Sequence, residues 1–566
     1  PDAEERSFQQ ATHCYNCGEN FAEKKLMKVR DHDHVSSRFR GAACNSCNLA
    51  LKPRTGKSRF NGESGYFIPV FLHNGANYDF KLIVKYLSKR FAPREISVIA
   101  SNSEKFIGFQ MGNIRFLDSF KFLSTSLDAL TQNLLKSGED KFTITRKEFP
   151  GSSMVFRKGI YPYEYMNSSS RFLETELPPR RAFYSQLNDR DITEDEYKMA
   201  QEAWTEFGCL TMKDYHDFYL KLDGTLLADV FENFRAISHA AYGLDPAHYW
   251  TLPGFSWDAC LKETRVDLEL FEEANSNMYL FFENAVRGGV SMIAHRYAKS
   301  NNGEEIDPTQ PPSWLTYLDA NNLYGWAMSQ PLPTGNFRWL GEREIREFTP
   351  EFIQSIADDS STGYVAEVDL VYPEELHELH NAFPLAPERL VITKDMLSPY
   401  ALSFDRDFLP AEKLVPNLQD KQNYTTHYRN LKLYLELGLR MTKVHRVLAF
   451  DQSAFMKAYI DKNTDKRKQA KDDFEKDFFK LLNNSVFGKT MENVREHVDI
   501  KLVTNAHRLK KLAAKPNCKF FERINDEVAL VNMGKQNVLL NKPIYVGFSI
   551  LEVSKTLMYD FHYNQI

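Results

Sequence analysis

The stretch "VRDHDHVSSRFRGAACNSCN", residues 29 to 48, concentrates histidines, aspartates and cysteines, and a second cysteine pair, "CYNC", lies just upstream. Cys14 and Cys17 with Cys44 and Cys47 form two CxxC pairs, the spacing by which four thiolates close a tetrahedral zinc site. Between and beside the pairs stand Asp31, His32, His34 and Asn48. A carboxylate, an imidazole and an amide are hard-metal and general-base groups, redundant for an ion already held by four sulfurs. The residue types therefore predict a closed zinc site and a separate site for a hard cation.

In the order CxxC, DHxH, CxxCN these residues resemble the recombination endonuclease VII family, a branch of the HNH nucleases. The resemblance implies that Asp31 and Asn48 hold a catalytic Mg²⁺, that His32 activates the attacking water, and that His34 sits beside the scissile phosphate. Arg30, Arg38 and Arg40 would neutralise phosphates nearby.

A second set of carboxylates lies further on. "FLHNGANYDFKLI" places Asn74 and Asp79 after a buried strand, and "YLKLD" puts Tyr219 and Asp223 four apart, on one face of a helix. These resemble the second and third motifs of the 3′→5′ proofreading domain of family B DNA polymerases, where carboxylates converge on two Mg²⁺ ions. "SLDAL" is similar to the family's motif for gripping single-stranded DNA, which assigns Ser126 and Leu127 to that task. The family's first motif, DxE, is not found upstream of Asn74. "DAE" at Asp2 to Glu4 matches in letters only, so the chain is expected not to proofread.

"WLTYLDANNLYGWAM" reads as an apolar strand delivering Asp319 at its end, followed by Tyr324. It resembles motif A of family B polymerases, with Asn322 and Gly325 where Ser and Pro are usual. Asp319 would ligate both Mg²⁺ ions and Tyr324 would exclude a ribose 2′-OH. "KDFFKLLNNSVFGKTMENVR" resembles motif B. As a helix it sets Lys476, Lys480, Asn484 and Phe487 on one face and Phe474, Phe478, Leu481 and Ser485 on another. The resemblance implies that Lys480 meets the triphosphate, Asn484 lines the nucleotide site, Phe487 stacks on the nascent pair and Gly488 allows close approach. Arg467 and Lys468 would assist with phosphates. "VRGGVS" is similar to the YxGG-type linker, so Arg287, Gly288 and Gly289 are expected at the template.

The elements that must position these groups follow from the apolar pattern. Residues 1 to 60 read as the zinc module, 61 to 240 as an α/β exonuclease-like domain, and 241 to 566 as a polymerase palm and fingers with an insertion at 335 to 445. A Pro-rich junction lies near 301 to 313. Residues 416 to 500 read as strongly helical, and Gly243 as a helix stop. The fold class is multi-domain α/β and α+β: an HNH ββα-metal module, a ribonuclease H-like domain, and an incomplete palm with fingers. In order and texture the chain resembles protein-primed family B DNA polymerases of Polinton or Maverick transposons and related viruses. A motif C acid, expected in a YxDTDS-like run, does not occur; the chain ends in the helix that leads up to it. The reading is a truncated polymerase, inactive in synthesis, with a structure-selective nuclease or an inactive DNA-binding remnant as rival readings.

A chain of 566 residues, 43% hydrophobic, has room for several cores, and no apolar run is long enough for a transmembrane helix. Seven cysteines, four of them in the CxxC pairs, fit a reducing compartment. A net charge of −5 does not exclude DNA, because a local positive channel suffices. Expected partners are primer–template DNA, dNTPs and a terminal protein primer. Expected cofactors are Mg²⁺ and Zn²⁺. The expected state is a monomer in the nucleus or cytoplasm of a eukaryotic host, or in a virus factory.

Overall fold

Short runs rich in β-branched and aromatic residues, such as "IPVFL", "ISVIA" and "IRFLD", are bounded by turns and form strands. The computed structural model describes residues 2–32, 39–50, 67–87, 96–102, 105–303, 306–404 and 407–566. His34, Arg38 and Tyr66 lie outside the described residues. The chain divides into two compact units, Pro1–Phe120 with His497–Gln536, and Lys121–Glu496 with Asn537–Ile566. The strands that carry Asn74 and the helix that carries Asp223 thus fall in different units, whereas the sequence boundaries at 60 and 240 would join them.

The first unit begins with a ββα module. Strands Lys28–His32 and Phe39–Cys44 pair antiparallel with Asp31 opposite Gly41, and helix Asn45–Ala50 follows. Its larger sheet has seven strands, in the spatial order Cys518–Arg523, Ala529–Met533, Asp499–Val503, Ile96–Ala100, Phe106–Met111, Ile114–Asp118, Ile68–Leu72. Only the last pair is parallel. Three of these strands come from a segment hundreds of residues downstream, and their side chains Ile500, Leu502, Val528 and Leu530 share one core with Phe80, Val84, Ile96 and Phe109. Burial of an aromatic or aliphatic side chain of this size is worth about 1.5–3 kcal/mol, so the late strands add substantially to this core.

In the second unit a four-stranded antiparallel sheet runs Lys421–His427, Thr362–Val371, Arg440–Ser453, Leu332–Trp339. The strands Lys421–His427 and Arg440–Ser453, which flank Thr362–Val371, correct the helical expectation for 416 to 500. "RMTKVHRVLAF" is rich in β-branched residues, and pairing with Thr362–Val371 along its length outweighs its local helix formers. Helix Ile544–Asp560 is buried along most of its length. It touches helices Ser276–Ala285, Leu323–Met328, Tyr428–Glu436 and Asp473–Thr490, and strand Leu332–Trp339. Helix Met212–Tyr242 opens on a capping box of Thr211 and Asp214 and closes on Gly243 at φ +61°, the left-handed stop that its glycine predicts. Among the described residues no helix is long and apolar enough to cross a membrane.

The run Trp314–Asp319 is not the strand its apolar pattern predicts. Trp314, Leu315, Tyr317 and Leu318 are exposed and outside any regular element, with no ladder partner among the described residues. A strand is held by its neighbour's N–H and C=O groups, so an apolar run without that neighbour stays irregular.

Candidate nucleotide and metal sites

The four cysteines of the N-terminal module converge, their Sγ atoms all within 4.8 Å of one another. Cys14 and Cys44 are buried. Cys44 N donates to Cys14 Sγ at 3.2 Å, and Cys47 N donates to Cys44 Sγ at 3.4 Å. Burial opposes ionisation of Cys14, but backbone N–H groups of Cys17, Cys44 and Asn16 outweigh it and hold the thiol down at about 6. The donor set suits one tetrahedral zinc ion. Asp31, on the same sheet, is buried and accepts a hydrogen bond from Tyr15 Oη at 2.5 Å, which pushes the phenol up to about 12. Gly41 makes room for that ring, since a Cβ there would lie 2.7 Å from Tyr15 Cδ1. His32 is exposed at the end of that strand, where the register shifts after Asp31, and Asn48 is half-buried on the helix that follows. Arg30 is engaged with Glu5.

In the same unit the parallel strands Ile68–Leu72 and Ile114–Asp118 end side by side, and the loop from His73 to Tyr78 leaves at that edge. Asp118, fully buried, gathers it: Asn74 N donates to Oδ1 at 2.8 Å, Ala76 N to Oδ2 at 3.1 Å and Phe120 N to Oδ1 at 3.0 Å. Asn74 sits at φ +65° and Asp79 opens the following helix. Sequence reasoning missed Asp118, although an Asp at the end of an apolar strand, in "IRFLDSF", was its signal.

In the second unit Tyr219 is buried on helix Met212–Tyr242 and stacked on Tyr161 at 4.6 Å. One turn on, Asp223 Oδ2 accepts from Lys158 Nζ at 3.1 Å, while its Oδ1 is buried without a hydrogen-bond partner. Lys158 was also missed. Burial alone would push its ammonium down, yet the Asp223 carboxylate holds it above the ordinary lysine value. Gly159 is required beside it, because a Cβ would lie 2.9 Å from Tyr219 Cδ2.

The polymerase-like residues of this unit form one surface. Asn322, at φ +54°, caps helix Leu323–Met328 by accepting from Gly325 N at 3.2 Å. A Cβ on residue 325 would meet the Asn322 side chain at 2.0 Å, which explains the glycine. The cap aims Tyr324 at helix Asp473–Thr490, where its ring stacks on Phe487 with centroids 4.8 Å apart and 14° between planes. Lys476, Lys480, Asn484 and Gly488 are exposed along that helix, and Phe474 and Phe478 are buried. A cavity of about 200 Å³ lies beside Lys480 and Asn484, closed on its other side by Ser124, Thr125 and Leu130. Asp319 lines a different cavity, of about 470 Å³, with Phe383, Leu557 and Phe561. Among the described residues, no cluster of three or more metal-ligating side chains gathers at Asp319.

Three of the residues expected at DNA are used inside the protein. Leu127 is buried, and Ser126 caps the helix Leu127–Lys136 by accepting from Ala129 N at 3.2 Å. Arg287 is buried as well, its guanidinium donating to Thr425 O at 2.7 Å and lying 4.0 Å from the Tyr424 ring centroid. These contacts tie the guanidinium to the strand Lys421–His427. Gly288 and Gly289 of that motif are exposed.

Residues 3–61 match the model of the recombination endonuclease VII family. No curated protein matches the chain. Solved structures of Phi29 DNA polymerase are similar at low identity. The complex with primer-template DNA and incoming nucleotide substrates is 14% identical at a TM-score of 0.46, covering 94% of this chain and 77% of that one. The binary complex with primer-template DNA is 13% identical at 0.45, and the orthorhombic crystal form 12% identical at 0.44, with the same coverage. Residues 66–566 match the model described as DNA polymerase type B, organellar and viral, and that match spans most of the sequence: the chain belongs to this family of DNA-directed DNA polymerases.

Proposed function

We propose that Tyr324, Phe487, Lys480 and Asn484 form the site for an incoming deoxynucleoside triphosphate paired to a template, and that the protein replicates a viral or transposon DNA from a protein primer. The observation that carries this is the stack of Tyr324 on Phe487, which joins two sequence motifs far apart in the chain. At 1.5 Å rise per residue, Lys480 and Phe487 are about 10 Å apart along the helix, near the span from a triphosphate to its base. Lys480 is placed to neutralise the triphosphate, and Phe487 to face the base. Tyr324 would crowd a ribose 2′-OH. The open space over Gly488, with no protein atom within 4 Å of a Cβ there, leaves room for the nascent pair.

Nucleotidyl transfer in this family uses divalent cations that stabilise charge on the phosphates. Asp319 is the residue that would ligate them, but one exposed carboxylate does not fit a two-metal site, and no step is derived through it. Zinc fits the four thiols, where it would order the N-terminal module. Binding of a labelled dNTP to the protein on primer–template DNA tests the reading. Phe487→Ala and Lys480→Ala should each weaken it at least about tenfold, the loss of one good contact of this kind. Unchanged affinity would sink the proposal.

The match of residues 3–61 to the endonuclease VII model favours a second activity, cleavage of branched DNA by Asp31, His32 and Asn48. Cutting of a four-way junction in Mg²⁺ that survives His32→Ala unchanged would remove it.

A further inference from the structure

Helix Ile544–Asp560 carries a buried ion pair that the nucleotide surface does not use directly. Glu552 is 1% exposed and Lys555 6%. Glu552 Oε2 accepts from Thr426 Oγ1 at 2.9 Å, Asn430 Nδ2 at 3.0 Å and His427 N at 3.3 Å, and its Oε1 accepts from Lys555 Nζ at 3.2 Å. Thr556 Oγ1 donates to Asn430 Oδ1 at 2.6 Å and so orients that amide toward the carboxylate. Lys555 has two further acceptors, Leu551 O at 3.3 Å and the main-chain oxygen of Arg287 at 3.0 Å.

Replacing such a pair by apolar or neutral groups is often neutral for stability, so its presence asks for another reason. The last of these bonds supplies one. Lys555, on helix Ile544–Asp560, and the Arg287 guanidinium, on Thr425 of the sheet, hold the backbone at 287 from two sides, immediately before the exposed Gly288–Gly289 segment. A Cβ at Gly289 would lie 3.6 Å from Tyr324 Oη, so the segment forms the wall against the hydroxyl end of that ring. The other face of the ring is held by Phe487.

We infer that Glu552 and Lys555 are positioning residues for sugar selection: they hold the 287–289 backbone so that its wall keeps Tyr324 stacked on Phe487. This rests on the nucleotide site proposed above. Without the Lys555 bond the segment relaxes, Tyr324 gains freedom, and a ribose is admitted more readily, with little change in how tightly the triphosphate end is held.

The test is competition between dATP and ATP for the full chain on primer–template DNA with a templating thymine, with E552Q/K555M against wild type. Removing one charge of each sign leaves the net buried charge unchanged, and Arg287 keeps its bond to Thr425 O and its place over the Tyr424 ring, so the variant should fold. Its preference for dATP should fall roughly tenfold, within the range a small misplacement produces, while dATP affinity stays within about threefold. T426V removes one donor and leaves both charges, and carries the same test at smaller amplitude if the double variant is not recovered. A variant that folds and keeps the wild-type preference overturns the inference alone. A wild-type protein that does not discriminate the two sugars overturns the nucleotide site, and this inference with it.

Discussion

At the scale of single residues, the structure separates side chains that meet across two motifs from side chains that hold backbone in place. Tyr324 and Phe487 meet one another, whereas Arg287, Ser126 and Asp118 are spent on holding backbone in place. Gly547 is the clearest case of a residue defined by what it leaves out. A Cβ there would lie 2.0 Å from Met491 Cγ and 2.6 Å from Thr490 Oγ1, at the end of the helix that carries Lys480 and Phe487. Gly547→Ala is therefore expected to destabilise the protein by about 1–3 kcal/mol through overpacking, seen as a lower urea midpoint, and to weaken dNTP binding with it. The Glu552 carboxyl gives a pH signature. Its burial opposes ionisation, but Lys555 and Arg287, with the Asn430 and Thr426 donors, hold it down at about 2. A carboxyl held low stabilises the fold above the ordinary glutamate value of about 4.3 and loses that contribution as pH falls toward 2. The unfolding free energy from urea titration should drop across that window by an amount on the order of 2 kcal/mol, and E552Q/K555M should show a correspondingly flatter profile. An identical acid profile in the two proteins would refute the assignment.

At the scale of elements, the cysteine pairs belong to a module with a small core of its own, in which Phe21, Ala42 and Ala43 pack beside Cys14 and Cys44. So few buried apolar groups would leave the module dependent on the zinc ion proposed for its four thiols. Chelation, or Cys44→Ser, should release one equivalent of zinc per chain and expose residues 2–50 to amide exchange while the Thr362–Val371 sheet stays protected. The seven-stranded sheet makes the opposite point, that a domain can be completed from far along the chain. Replacing 499–533 with a short Gly-Ser linker should strip Ile500, Leu502, Val528 and Leu530 from the core shared with Ile96 and Phe109. Amides of Ile96–Ala100 should then exchange as fast as in the unfolded chain. Protection that persists would mean that strands 68–118 form a sheet by themselves.

At the scale of the whole molecule, local pattern and tertiary structure divided the information unevenly. The four-cysteine site was legible because CxxC spacing constrains thiolates through a few covalent links. The exposed face of helix Asp473–Thr490 was legible because a period of 3.6 sorts Lys480 and Asn484 from Phe474 and Phe478 without reference to any partner. The Gly243 stop was legible for the same local reason. What the sequence could not settle depended on neighbours distant in the chain. Trp314–Asp319 reads as a strand, yet a strand exists only where another accepts its hydrogen bonds, and no described segment does. Arg440–Ser453 reads as charged helix, and pairing with Thr362–Val371 makes it a strand. Arg287 reads as a template contact, and burial against Tyr424 turns it into an anchor. Lys158, Asp118 and the Glu552–Lys555 pair carry no motif of their own. Their roles come from desolvation, which makes a charge costly unless a particular partner from elsewhere in the fold stands within hydrogen-bond reach, and only the tertiary structure supplies that partner.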